Sequence, residues 1–170
     1  AIAFVTVLAA AAGLASAQVH VEAGDAGQLA GGQGTGNGAL TAIRGVLDGA
    51  VDVDMYQIRV DDWAAFSATT TANAELPAPV ETDTQLFLFS SSGMGIAFND
   101  DIANGALSTL PIGHELYAGR TNGEIVWLAI SGYNIDPTSG ELWGNFPQTY
   151  SLVGIIQCAT RLSRPWEDAR

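Results

Sequence analysis

Between residues 53 and 60 the chain alternates with a period of two: Tyr56, Ile58 and Val60 on one side, Met55, Gln57 and Arg59 on the other. Successive side chains of a strand point to opposite faces, so this run reads as a β-strand with one dry and one wetter face. Short β-branched and aromatic runs of the same kind recur at 40–47, 64–70, 85–89, 95–98, 125–131 and 149–155, each bounded by turn residues. That spacing is the signature of an all-β domain. No helical period of useful length interrupts it, although 109–117 has room for one or two helical turns, and no internal repeat points to a solenoid or propeller.

Two runs narrow the architecture further. Leu86-Phe87-Leu88-Phe89 and Ile125-Val126-Trp127-Leu128-Ala129-Ile130 are apolar on both faces, which predicts central strands covered on their second face by a loop or neighbouring element. Seven to eight strands of this pattern predict a two-sheet antiparallel β-sandwich, jelly-roll-like, over residues 39–157. The 20 glycines and the 14% of charged residues among 170 favour turns and strands over a helix-rich or disordered chain.

Outside that domain the sequence changes character. Residues 1–17 are uncharged, Ala-rich and apolar, and end in Ala15-Ser16-Ala17, the small-x-small pattern of a signal-peptidase site, so they read as a secretion signal removed before Gln18. The run is shorter than the ~20 apolar residues a membrane span needs, and no span is expected after cleavage. It carries no initiator Met or basic residue before Ala1, and we read the chain as beginning inside a longer gene product. Residues 18–38, with seven glycines between 23 and 38, read as a flexible lead-in, and 158–170 as a polar tail. Gly34-Thr35-Gly36 mimics part of a dinucleotide fingerprint, but Asp48-Gly49 closes the following segment before a long helix can form.

Eighteen acids face six arginines with no lysine, a net charge of −12, which repels phosphate backbones; nucleic acid is not an expected partner. The charge suits solubility outside the cell, or a bound cation. With Cys158 as the single cysteine, an exported chain has no internal disulfide, and an inert buried thiol is the simplest reading of that residue.

Candidate chemistry concentrates in the acids at strand ends. Asp52 and Asp54 share a strand face with Tyr56 and Ile58, toward the core, and a carboxylate there needs a turn N–H, an arginine or a hard cation beside it. Asp83 precedes the 85–89 strand, and Asn99-Asp100-Asp101 follow the 95–98 strand. Oxygen ligands of this kind suit Ca²⁺ better than zinc, for which His20 and His114 form no spaced set; the alternative is that Asp83, Asp100 and Asp101 cap turns. Trp63 and Trp143, in turn-like stretches, are candidates for stacking on a sugar or protein surface, or for plugging the sandwich end. Ser90-Ser91-Ser92-Gly93 lacks a hydrolase elbow and His114 stands alone beside Glu115, so a small extracellular hydrolase is the weaker alternative to a non-catalytic module.

Taken in order, the run from Gly45 to Val60 with Asp52-Val53-Asp54-Met55-Tyr56, then Asp83-Thr84-Gln85-Leu86-Phe87-Leu88-Phe89, Ser92-Gly93, Asn99-Asp100-Asp101 and Trp127-Leu128-Ala129-Ile130-Ser131-Gly132-Tyr133, resembles the bacterial pre-peptidase C-terminal type of domain. The resemblance spans roughly residues 40–155. It implies a jelly-roll sandwich of an exported or cell-surface protein, with an accessory or adhesion role on an extracellular polymer or protein surface. It further implies calcium in some relatives, carried here onto Asp52, Asp54, Asp83, Asn99, Asp100 and Asp101.

Overall fold

The computed structural model describes residues 2–8, 18–28, 32–49, 51–71, 83–103, 105–132 and 137. Within them ten strands form two five-stranded sheets. The first sheet contains β1 (Ile2–Leu8), β2 (Gln18–Val21), β4 (Leu40–Val46), β6 (Ser67–Thr69) and β9 (Thr109–Leu110), in the order β2-β4-β1-β6-β9. The second contains β3 (Gln33–Gly34), β5 (Val53–Val60), β7 (Thr84–Ser90), β8 (Gly95–Asn99) and β10 (Glu124–Gly132), in the order β3-β5-β10-β7-β8. The only helix among the described residues is a three-residue 3-10 turn, Glu115–Tyr117, where one or two helical turns were expected. None is long and apolar enough to cross a membrane.

The alternation in 53–60 folds as its period dictates. Tyr56, Ile58 and Val60 are buried between the sheets together with Leu40, Ile43 and Ala68 of the first sheet and Leu86, Leu88, Val126 and Leu128 of the second. The two-faced apolar runs become β7 and β10, which lie side by side inside the second sheet. Their outward side chains Phe87, Phe89 and Ala129 join Val53 and Met55 of β5 in a second cluster, with Trp127 packed against it.

At the β5 edge of the second sheet lies the segment read as a glycine-rich lead-in. Met55 N–H donates to the carbonyl of Gly27 at 3.0 Å, and β3 pairs parallel with β5. Gly32 lies so close to the Trp127 ring that a Cβ there would sit 2.6 Å from its Cζ3. Thr35 is buried, and both its N–H and its hydroxyl donate to the carbonyl of Gln57. At the other sheet β2 pairs parallel with β4. The all-β, two-sheet architecture is the expected one, and to its antiparallel strands each sheet adds one parallel edge strand contributed by residues 18–38.

Ile2–Leu8 lies within the stretch read as a secretion signal, yet in this chain it is an interior strand, antiparallel to β4 on one side and β6 on the other. The expected strand at 149–155 lies outside the described residues.

Leu128 sits at the centre of β10 with no exposed surface. Leu128→Ala is expected to lower unfolding stability by about 2–5 kcal/mol, read from urea denaturation midpoints at unchanged slope.

Candidate acidic site under the N-terminal strap

The six residues expected to ligate a metal separate into two groups on one end of the second sheet. Asp54 is register-paired with Ile130, Ile130 with Leu86, and Leu86 with Asn99. Three inter-strand steps of about 4.8 Å put the groups roughly 14 Å apart. They cannot share one ion.

Around Asn99 the polar atoms clamp a turn. Asn99 Oδ1 accepts from Thr109 N–H at 2.7 Å and its amide donates to the Asp101 carbonyl at 2.9 Å. The Asp100 carbonyl accepts from the Ser108 hydroxyl at 2.6 Å, and Ser108 belongs to a buried hydroxyl network with Thr70 and Thr84. Carboxylate oxygens of Asp83, Asp100 and Asp101 lie within 4.8 Å of one another, at a half-exposed rim. Turn capping accounts for Asn99, whose side-chain oxygen is already committed.

The other group reaches deeper into the core. Asp52 lies in the turn before β5 and its Oδ2 accepts from Asp48 N–H. Asp54, two residues on, is 0% exposed in the core layer. Among the described residues its Oδ2 receives a long 3.4 Å bond from the Tyr56 hydroxyl, and its buried Oδ1 has no hydrogen-bond partner. Carboxylate oxygens of Glu22 and Asp25 meet those of Asp54, all within 4.8 Å of one another.

Glu22 and Asp25 come from the strap that follows β2. Glu22 N–H donates to the Arg44 carbonyl at 2.8 Å, extending the β2 pairing, and its carboxylate accepts from Ala26 N–H at 2.8 Å and Val46 N–H at 2.6 Å. Asp25 Oδ1 accepts from Gly27 N–H at 2.7 Å, and Gly27 turns the chain at φ 50°, a left-handed value that glycine adopts without strain. Gly45 leaves the room the site needs: a Cβ there would lie 2.5 Å from the Tyr56 hydroxyl and 2.7 Å from Glu22 Oε2. Beside the strap an open cleft of about 430 Å³ is lined by Val21, Glu22, Asp25, Arg44, Val46 and Asp48, among others.

Electrostatics follow from this packing. Burial first, then the charges of Glu22, Asp52 and Asp25, push the Asp54 carboxyl from 3.8 up to about 8, against a small lowering by the Tyr56 hydrogen bond. Burial first, then the Asp54 and Glu22 carboxylates, push the Tyr56 hydroxyl up, so it remains a donor. The ion pairs Arg59–Asp61 and Arg120–Glu124 lie elsewhere. An oxygen-only cluster of three carboxylates with one unpartnered buried lone-pair carrier has the donor set of a hard divalent cation.

Glu22 and Asp25 were absent from the expected ligand set. The available signal was that they are the only acids between Gln18 and Leu47, both within residues 18–38, read as a flexible lead-in. Trp63 follows the second of its two readings. It is 4% exposed, its indole N–H donates to the Thr121 carbonyl at 3.1 Å, and it packs against Phe66, Tyr117 and the Arg120 guanidinium. It plugs the sandwich rather than presenting a stacking face. Trp143 lies outside the described residues. His114 caps the 3-10 turn by accepting from Leu116 N–H, and no carboxylate cluster includes it. Comparisons with family models, curated proteins and solved structures return no match to this chain.

The raised Asp54 carboxyl fixes a pH dependence. Folded Asp54 holds its proton more tightly than the unfolded chain does, so in the absence of a cation its contribution is complete below 3.8 and is lost as pH rises through about 8. In chelator, the urea midpoint is expected to fall between pH 5 and pH 8, and Asp54→Asn, which keeps the shape without the titration, is expected to flatten that fall.

Proposed function

We propose that this chain is an exported, non-catalytic β-sandwich module whose N-terminal strap is pinned to the sandwich by one divalent cation, Ca²⁺ being the best fit. The observation that carries the reading is Asp54: a fully buried carboxylate with an unpartnered oxygen, facing Glu22 and Asp25. Without a cation the group must stay protonated or remain as an uncompensated buried charge, which costs several kcal/mol. A Ca²⁺ ion accepts six to eight oxygens at flexible geometry, and the three carboxylates with nearby backbone carbonyls and water satisfy that demand. The Asp83, Asp100 and Asp101 group is the weaker site, because Asp101 is exposed and the turn it belongs to is already clamped.

A binding or structural role also agrees with the sequence: the −12 charge, the signal-like residues 1–17 and the resemblance to pre-peptidase C-terminal domains all point to a module working outside the cell. Its partner would be an extracellular polymer or protein surface. Asp54 has no accessible surface through which to act on a substrate, which weighs against the hydrolase alternative. Burial of Trp63 weighs against a sugar-stacking role for that residue.

Thermal unfolding tests the site. Calcium at a hundredfold excess over its Kd is expected to raise the midpoint by about 5–10 °C relative to chelator. Asp54→Asn and Glu22→Gln are expected to abolish the response, while Asp101→Asn leaves it intact. Equal midpoints with and without calcium in the unmodified chain would remove the cation from this reading.

A further inference from the structure

The place of β1 in the first sheet raises a separate question, because the residues that fill it are those with the composition of a removable leader. Ile2–Thr6 pair with β4 and Thr6–Leu8 pair with β6, so β1 alone joins the β2-β4 half of the sheet to the β6-β9 half. Withdrawing it leaves two strand edges separated by two inter-strand steps, about 9.6 Å, with their backbone N–H and C=O groups unpaired. That gap has the width of one strand. Its walls include core residues: Ile43 of β4 is 1% exposed and Ala68 of β6 is 0% exposed, and both would open to water.

We propose that the gap between β4 and β6 is a strand-acceptor groove, filled by residues 149–155 of the same chain when residues 2–8 are withdrawn. Three observations choose this occupant. First, 149–155 is strand-like in sequence, with Tyr150 and Leu152 alternating with Thr149 and Ser151 before the apolar Val153 and Ile155. Second, the direction is right. β10 ends with Ser131 opposite Val53, at the start of β5, and β5 follows β4 through the short turn after Val46. The chain therefore leaves β10 at the end of the sandwich where a strand antiparallel to β4 must enter, as Ile2 does opposite Val46. Third, the 16 residues 133–148 can reach: they extend to about 50 Å, against about 10 Å between packed sheets.

Both segments then compete for one position, and the sandwich closes with either. In a chain that keeps its first residues β1 occupies the groove. In a processed chain, 149–155 restores the sheet and spares an exported protein two open strand edges, which invite aggregation. The processed case rests on the export reading, but the groove itself can be tested without processing.

The full-length chain is compared with Thr6→Pro, Val153→Pro and the double variant, following amide exchange of Leu40–Val46 by mass spectrometry across a range of protein concentrations. Proline removes a ladder donor and is excluded from interior strands. Each single variant is expected to keep β4 protection within about threefold of the parent, because the other segment fills the groove. The double variant is expected to lose at least about 100-fold. That non-additive loss supports the proposal whether it stays within the first sheet or unfolds the whole domain. Loss of protection in either single variant, or retention in the double, overturns it. Protection in Thr6→Pro that depends on protein concentration also overturns it, since the strand would then come from a second copy. The mass of the exported chain separately decides whether cleavage before Gln18 occurs.

Discussion

The structure turns on a carboxylate in the wrong solvent. Asp54 occupies a core position of β5, in line with Tyr56 and Ile58, where strand periodicity calls for an apolar side chain. Everything around it is arranged for oxygen. Glu22 and Asp25 reach it from the strap, Tyr56 supplies one weak donor, and Gly45 gives up its side chain so that these groups fit. Three carboxylates with oxygens within 4.8 Å of one another do not add stability by themselves, since each pair repels and the buried one loses its hydration. On the proposed reading a cation would reverse the sign of that arrangement, turning repulsion into shared coordination by Asp54, Glu22 and Asp25.

The strap also borders the second sheet. The Gly27 carbonyl accepts from Met55 N–H, β3 pairs with β5, and Gly32 lies against the Trp127 ring. One short stretch of backbone therefore links the acidic cluster to the edge of that sheet, and loosening the cluster is expected to loosen the contact of Gly32 with Trp127 as well.

Legibility in the sequence followed how local each signal was. The strand 53–60 was readable residue by residue, because Tyr56, Ile58 and Val60 carry the pattern within one element. The two-sided burial of Leu86–Phe89 and of Leu128–Ile130 was readable for the same reason, although the identity of the cover was not. Strands β2 and β3 were hidden because they are only four and two residues long and border a glycine-rich stretch; they are strands by pairing with β4 and β5, a tertiary effect that propensity does not carry. Glu22 and Asp25 were hidden with them. Trp63 looked like a surface residue because it follows two aspartates, yet the turn it occupies folds inward onto Phe66 and Tyr117. Ile2–Leu8 shows a different limit: an apolar run rich in Ile, Val and Phe satisfies both a leader and a strand, and composition alone does not separate them.

The central claim is that the Asp54 oxygen without a protein partner is a ligand to a metal ion. The most direct test is a crystal structure of the chain grown in calcium. The account predicts a single ion bonded to Asp54, Glu22 and Asp25 at about 2.3–2.6 Å. A well-ordered structure in which Asp54 Oδ1 is bonded to water or to a backbone N–H, with no ion among the three carboxylates, would contradict it.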